Sequence, residues 1–572
     1  MDTQTLWNHA NQRLMAKIIG EAHYEGCFDV EALDEAWFHL ILAGNDYSFR
    51  AQFSCWGWLR VAPDTLKRND CPATSATQLV VDAQQSLGMN DIVLGQFLEE
   101  LQNTLAGDQI QQQHLATFTA EHMLALPEPQ LQSLLDGHPK ALANRGRLGW
   151  SQADLHTYSP EAGRPFQLRW LAVAPSLTGT HAGTPPLDQC LSSSEQTALV
   201  HGSQAAGHWP LIPVHPWQWT HYIQIQYAQA LAHGWIRDLG QHGYWYQPQQ
   251  SLRTLSNISI PEYCDVKLAL TVLNTSSYRG IPARPIAIGP ELSQWLWRQS
   301  QSDTELVDAG LEVQRELAGS HIPHPQHSQV AGGAYRYHEM LGAVWRESLP
   351  GKTGCGEHSM LLAALMQCDG ADHPLIATLI RHSGLSPKVW LTHFFDRVTV
   401  PLYHLLCTYG IGLVAHGQNL GFILKSAIPE RLVIKDFHGD LRCVDEPIPE
   451  QAGMPQHLLA ELTRLPAAYL IHDLITGHFV TTLRFISPLL PDAGLLPEAS
   501  FYSLLAERIR AYQRRHPELS ERFELFPLLT PTFERVCINR VRFRIGYEDH
   551  ADRPRPELGK PLSNPLLTGE TP

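Results

Sequence analysis

The sequence predicts a mixed α+β chain, with helices first, strands in the middle and helices again late. Three observations carry this. Ala73 to Leu135 is long, rich in Gln and Leu and poor in Gly, as helices are. The middle holds short apolar runs broken by Pro, Gly, Ser and Thr, among them Gln167 to Val173, Leu211 to Trp219 and Ser251 to Arg279. Late in the chain, Val389 to Tyr409 and Pro455 to Ile486 read as helices.

Composition narrows the function. The chain has 572 residues, 44% hydrophobic and 17% charged, enough for several cores. A formal net charge of -15 without a basic patch excludes nucleic acid as a partner. The first residues carry no apolar signal-peptide core, and no run of 18 apolar residues predicts a membrane span. Ten scattered cysteines without a CxxC argue against a disulfide scaffold or zinc site, and for a reducing, cytoplasmic setting. The 30 histidines are dispersed, most of them surface or satisfied core residues.

In chain order, Leu6 to Gly20 has helical periodicity and Trp56 to Val61 reads as a short strand. A helical first domain ends near Gly137. Asp136 to Glu161 then sets Lys140, Arg145 and Arg147 among glycines. Such a loop suits an anionic ligand, through side-chain charge and exposed backbone N–H groups; it also fits a solvated linker. Pro175 to Ala206 reads as a loop. Leu211 to Trp219 is a strand running into His215-Pro216, where the following proline restricts the direction of His215. Gly351-Lys352-Thr353 is a turn rather than a phosphate loop, because the first glycine of that motif would fall at Arg346. Ala551 to Pro572 is Pro-rich and reads as a surface tail, and there is no internal repeat.

Two dense stretches carry the chemistry. Ser251 to Arg279 holds Arg253, Lys267 and Arg279, which strand alternation can aim at one groove, with Ser251, Thr254, Thr275, Ser276 and Ser277 as hydroxyl donors. Convergent cations with hydroxyls suit a polyphosphate; the alternative is a cationic sheet face whose long stems cover apolar surface. Val414 to Arg442 holds His416, Gln418, Asn419, Lys435, Asp436, His438 and Asp440 around the apolar runs Leu420 to Leu424 and Leu432 to Ile434. It reads as strand, turn, strand. Asn419 and Asp436 are hard oxygen donors that suit Mg²⁺ with nucleotide phosphates. The alternative is a hairpin with ordinary turn residues.

Six segments, in order, resemble the NRPS-independent siderophore synthetases, the IucA/IucC family: GHPKALANRGRLGW, VHPWQW, SLRTL, VKLALTVLNTSSYRGIP, AHGQN and KDFHGDLR. The likeness spans essentially the whole chain, and it is strongest to the branch of aerobactin synthase and the macrocyclic dihydroxamate synthetases. It implies a cupped-hand fold, with a helical thumb over 1–137, antiparallel-sheet fingers over 138–335 and a mostly helical palm over 336–572. It implies an acid activated by ATP as an acyl adenylate and then condensed with an amine. Ser251, Arg253, Thr254, Lys267, Arg279, His416 and Gln418 would bind the nucleotide, with Lys267, Arg279 and His416 stabilising the transition state. Asn419 and Asp436 would hold Mg²⁺, and His138, Lys140, Arg147 and His215 would lie near the carboxylate substrate. Family members are commonly homodimers. Two positions depart from the family: Val414 stands where many members have glutamate, and Ser276 where many have asparagine.

The implied product is a hydroxamate siderophore. One route couples and closes an N-hydroxy-N-succinyl-diamine, the route favoured here. The alternative joins citryl-N-acyl-N-hydroxylysine to a second N-acyl-N-hydroxylysine. Two other classes compete. A phosphotransferase is suggested by Asn419 followed by Lys435-Asp436-Phe437, although no GxGxxG loop or HRD accompanies them. A non-catalytic siderophore or citrate binder leaves the Lys267/Arg279 and Asn419/Asp436 pairs without a purpose. The protein itself is expected to bind no iron.

Overall fold

A computed structural model describes residues 2–202, 209–275, 277–437, 439–547, 549 and 556–567. Ser276 and His438 lie outside the described residues.

The first helix runs Thr3–Tyr24, starting where the Asp2 side chain accepts the Thr5 N–H at 2.8 Å. It packs on the 25-residue helix Asp91–Leu115, which Asn90 caps in the same way. The chain between them corrects the expectation of a helical first domain. Residues 31–72 form a six-stranded sheet, dominated by Trp37–Leu42 and Asn45–Phe53. Phe38, Leu40 and Leu42 alternate inward on one strand, and Tyr47, Phe49 and Ala51 on the next. The period-two signal was there, but polar residues on the open face dilute it.

The middle of the chain builds an eight-stranded, wholly antiparallel sheet. Its order is Thr180–Gly183, Glu316–His321, Gly342–Arg346, Asp265–Leu268, Thr254–Asn257, Ile236–Pro248, Phe166–Val173 and Leu211–Val214. Gly342–Arg346 lies within it, so the sheet continues past residue 335. Leu211–Val214 stops because Pro216 opens a short helix, Pro216–Gln218, capped by the His215 side chain. The segment 175–206, expected as a loop, contributes the edge strand Thr180–Gly183 and the helix Ser193–Gly202.

The largest core lies in the last third, under the helices Leu375–Ser383, Pro387–Phe394, Val400–Tyr409 and Glu498–Arg515. Against it sits the expected hairpin, Leu420–Lys425 with Ile428–Ile434, turning through Ser426 and Ala427 at φ 51° and 62°. Pro350–Lys352 is a 3-10 turn. The expected tail is partly folded: Glu557–Ser563 pairs with Thr532–Cys537, anchored by the buried Leu562 and Leu566. Its prolines and charges hide two apolar anchors. Among the described residues no helix is long and apolar enough to cross a membrane, and all ten cysteines are free.

Candidate active site

A cavity of about 400 Å³ lies where the central sheet meets the loop around residue 140 and the segment before Leu420. Ser251, Arg253, Lys267, Arg279, His416, Gln418, Asn419, Asp436, His138 and Arg147 all line it. Strained backbone does part of the aiming. Leu252 has φ 66°; its side chain is buried in an apolar cluster, which leaves Ser251 and Arg253 on the cavity wall. Thr275 has φ 60° in the turn joining Leu270–Asn274 to Ser277–Arg279; its hydroxyl accepts from Arg279 Nη2 at 2.6 Å. Asp436 has φ 62° just past the end of Ile428–Ile434, and Arg147 has φ 39°. Non-glycine residues in this region of φ carry strain on the order of 1–3 kcal/mol each and tend to gather at functional sites.

The charges are held in a buried cluster. Asp436 accepts from Lys267, and its other oxygen lies 3.2 Å from Arg346 Nη1. Arg346 Nη2 also lies 3.7 Å from Asp265. Burial alone would raise the Asp436 pKa, but Lys267, Arg346 and Lys435 hold it well below the carboxylate range. Burial lowers the pKa of Lys267, with Asp436 opposing the shift. Lys435, buried and beside Arg346, is pushed down to about 8. Arg279 and Arg253 are anchored through backbone carbonyls: Arg279 on Asn274 at 3.0 Å, and Arg253 on Gly280.

Two histidines face each other edge to face, His138 and His416, with ring centroids 5.8 Å apart. Burial lowers both pKa values, and His416 adds to the effect on His138. Nδ1 of His138 accepts the Ala141 N–H at 3.1 Å, and Nδ1 of His416 accepts the Gln418 N–H at 3.3 Å. In each neutral ring the proton therefore sits on Nε2. The pair thus offers two N–H donors to anionic oxygens without adding positive charge.

Three expected residues are placed elsewhere. Lys140 is fully buried, 3.8 Å from Glu21 and 4.5 Å over the Tyr24 ring, so it does not reach the cavity. His215 is fully buried between Tyr158 and Phe166, with Nδ1 accepting the Trp217 N–H. Burial drives its pKa down to about 3. Thr254, across the ladder from Lys267, is buried short of the wall. Loop spacing does not fix side-chain direction, and a lysine with a carboxylate and an aromatic ring beneath it turns inward. Arg147 lines the cavity but is engaged by Glu161, with one contact at 2.9 Å. Two residues gain importance. Asp440 lines the cavity and accepts from Asn419 Nδ2 at 3.2 Å. Arg346 was visible only as a charge ending the apolar run Ala343 to Trp345.

The profile of the IucA / IucC family matches residues 130–367, and one described as ferric iron reductase FhuF-like transporter matches residues 388–551. The chain is 39% identical over 568 residues to the aerobactin synthase of Escherichia coli, covering 98% of both. The chain belongs to the IucA/IucC family. It is also 30% identical over 582 residues to the putrebactin synthase of a Shewanella strain, covering 98% of this chain and 91% of that protein. Among solved structures, the aerobactin synthetase IucC of a hypervirulent Klebsiella pneumoniae superposes with a TM-score of 0.89 at 36% identity, over 99% of each chain. The mixed helix and sheet fold of this IucA/IucC protein is therefore that of the synthetase structures. The ten converging residues fall in both matched segments, 130–367 and 388–551.

Donor chemistry bears on a metal at this site. Among the described residues no group of three His, Cys, Asp or Glu is set to hold one. Mg²⁺ does not require such a group, since it is held by one or two carboxylates plus substrate phosphates and water. Asp436 and Asp440 supply two carboxylates on the cavity wall. Asn419 uses Nδ2 on Val414 O and Asp440, which leaves Oδ1 as its acceptor atom. The donor set fits.

Proposed function

We propose that the protein is an ATP-dependent acid–amine ligase of hydroxamate siderophore synthesis that proceeds through an acyl adenylate. One observation supports this above the others: Arg253, Lys267 and Arg279 converge with His138, His416 and two carboxylates around a single cavity. A carboxylate and a triphosphate repel each other, so their reaction needs fixed cations and donors in a site shielded from water. The substrate carboxylate attacks the α-phosphorus of ATP and pyrophosphate leaves. The amine then attacks the acyl carbon, AMP leaves with the C–O bond electrons, and one proton is released as the amide forms.

In this reading Lys267 and Arg279 hold phosphate oxygens as charge develops. His138 and His416 donate from Nε2, one towards the carboxylate and the other towards the phosphate. Ser251 and Gln418 add polar contacts. Asp436, Asp440 and Asn419 Oδ1 would hold Mg²⁺, which supplies charge neutralisation on the phosphates. Arg346 keeps Asp436 in place when Lys267 turns to substrate.

Full-length likeness to aerobactin synthases favours joining a citryl-hydroxylysine acid to a hydroxylysine amine. The putrebactin synthase likeness supports the second reading, the coupling and closure of an N-hydroxy-N-succinyl-diamine. Purified protein with ATP, Mg²⁺ and each substrate set in parallel, read by mass spectrometry, separates them. AMP with a linear citryl bis-hydroxamate gives the first reading, and AMP with a ring dimer gives the second. ADP in place of AMP overturns the adenylation reading.

A further inference from the structure

A second cavity, of about 740 Å³, lies on the N-terminal side of the first. That volume is within the ~300–1,000 Å³ of small-molecule sites. The two cavities share a wall that includes the ion-paired Asp136 and Arg145 as well as Gly137, Asn144, Ala363 and Met366. The wall is fixed on both sides. Lys17 Nζ donates to His138 O at 2.9 Å and Ala141 O at 2.7 Å, and the Ala363 N–H donates to Gly417 O at 2.9 Å. The second cavity therefore abuts both histidine-bearing segments of the first.

Its chemistry differs from that of its neighbour. Arg13 pairs with Asp136 at 2.7 Å, Arg145 pairs with Asp108, and Arg60 reaches Asp492 at 2.5 Å. Four of its five cations are thus engaged, these three in ion pairs and Lys17 on backbone carbonyls, and Trp58, Phe485 and Leu489 add apolar surface. Such a site suits a neutral, hydrogen-bonding arm rather than a polyanion. Three enclosed polar atoms among its lining residues have no hydrogen-bond partner: the acceptor Asn144 Oδ1 and the donors Trp58 Nε1 and Arg145 Nε. Buried polar atoms without partners are uncommon, and a ligand group is one way to satisfy them.

We propose that this second cavity is the subsite for the acceptor, a primary amine carried on a neutral acylated-hydroxylamine arm, and that Asn144 Oδ1 takes an N–H of that amine at the opening between the two cavities. The inference rests on the adenylation reading. It explains how two organic substrates and a nucleotide are accommodated: nucleotide and acid in the cation-lined cavity, acceptor entering past Asn144 and Met366. The lone pair of the amine is then free to face the acyl carbon.

The test separates activation from acceptor binding. Ala62→Trp adds bulk at a residue that lines the second cavity and not the first, and Leu489→Trp, at another such residue, is a second plug should the first misfold. Acid-dependent ATP–pyrophosphate exchange reads activation. Hydroxylamine, a nucleophile small enough to need no arm pocket, traps the adenylate as a hydroxamic acid with release of AMP. Expected in a plugged variant are exchange and hydroxylamine trapping within twofold of wild type, with KM for the hydroxamate-bearing amine raised at least tenfold. Asn144→Ala is expected to raise that KM as well. An unchanged KM in a folded plugged variant overturns the proposal, as does a parallel loss of hydroxylamine trapping. Absence of exchange in the wild-type protein overturns the adenylation reading beneath it.

Discussion

Lys267→Met is the most informative single change. It removes one cation from the cluster of Lys267, Arg346, Lys435, Asp265 and Asp436. Two unit charges 4 Å apart interact by ~4 kcal/mol at an effective dielectric of ~20. On the proposed reading Lys267 shares the developing phosphate charge with Arg279, so roughly two-thirds of that energy is lost. That is about 2.7 kcal/mol, or ~100-fold in the rate of acid activation. The effect on the fold is smaller. Stripping a buried carboxylate of its only partner costs about 3–5 kcal/mol. Asp436 keeps Arg346 at 3.2 Å, with Lys435 nearby. The expected loss of stability is therefore about 1–2 kcal/mol, a melting midpoint lowered by only a few degrees.

The assay is ATP–pyrophosphate exchange beside a thermal melt, with Lys267→Arg as the charge-retaining control. The arginine variant should recover part of the rate, because it keeps the charge but not the compact ammonium geometry. Exchange within a few-fold of wild type in a folded Lys267→Met protein would refute the reasoning. It would show that Lys267 serves Asp436 and the fold, not the phosphates.

Arg279→Ala should also slow exchange by on the order of 100-fold with the fold intact, since Arg279 lines the cavity and bonds Asn274 O and Thr275 Oγ1 of its own turn. Arg346→Met should raise the Mg²⁺ concentration needed for half-maximal exchange, and Arg346→Lys should restore part of it; an unchanged Mg²⁺ titration would deny Arg346 its hold on Asp436. Asp440→Asn should raise the Mg²⁺ requirement too, read in the same titration. His215 and His478 are fully buried, with pKa values driven by burial to about 3. Depressed pKa values mean that the unfolded chain takes up these protons first. The stability associated with each is thus complete above pH 6.5 and falls by about 1.4 kcal/mol per unit as pH drops towards 3. Urea midpoints at pH 7.5 and 5.5 should separate in wild type and draw closer in His215→Phe.

Legibility followed periodicity and burial. The helix Asp91–Leu115 was plain from a Gln- and Leu-rich, Gly-poor composition, Val400–Tyr409 from an apolar run too long for a strand, and the hairpin after Asn419 from two short apolar runs parted by a turn. Of the first sheet only Leu59–Val61 falls within an expected strand, because the other strands carry polar residues on a solvated face and the turns between them are short. Glu557–Ser563 was missed because two leucines anchor a segment otherwise rich in proline and charge. Pairing across long sequence separations leaves no local periodicity to read.

The site shows a sharper limit. The residues that reached the cavity came mainly from stretches where strand alternation or a short HGQN turn constrains direction. The failures, Lys140, His215 and Thr254, share one trait: each belongs to a type that serves either a site or a core, and only packing decides between them. Lys140 found Glu21 and Tyr24 beneath it, 119 and 116 positions back by the difference of the residue numbers. Arg346 shows the reverse. It lies far in sequence from both dense stretches, yet the antiparallel ladder sets it opposite Asp265, two residues before Lys267. That register brings its guanidinium to Asp436 across the joint between the central sheet and the late hairpin. A second cation on the same carboxylate would, on the proposed reading, free Lys267 to leave it for a phosphate. On the proposed adenylation reading the site would thus depend on a residue that no local motif reveals, and the Mg²⁺ titration of Arg346→Met measures that dependence directly.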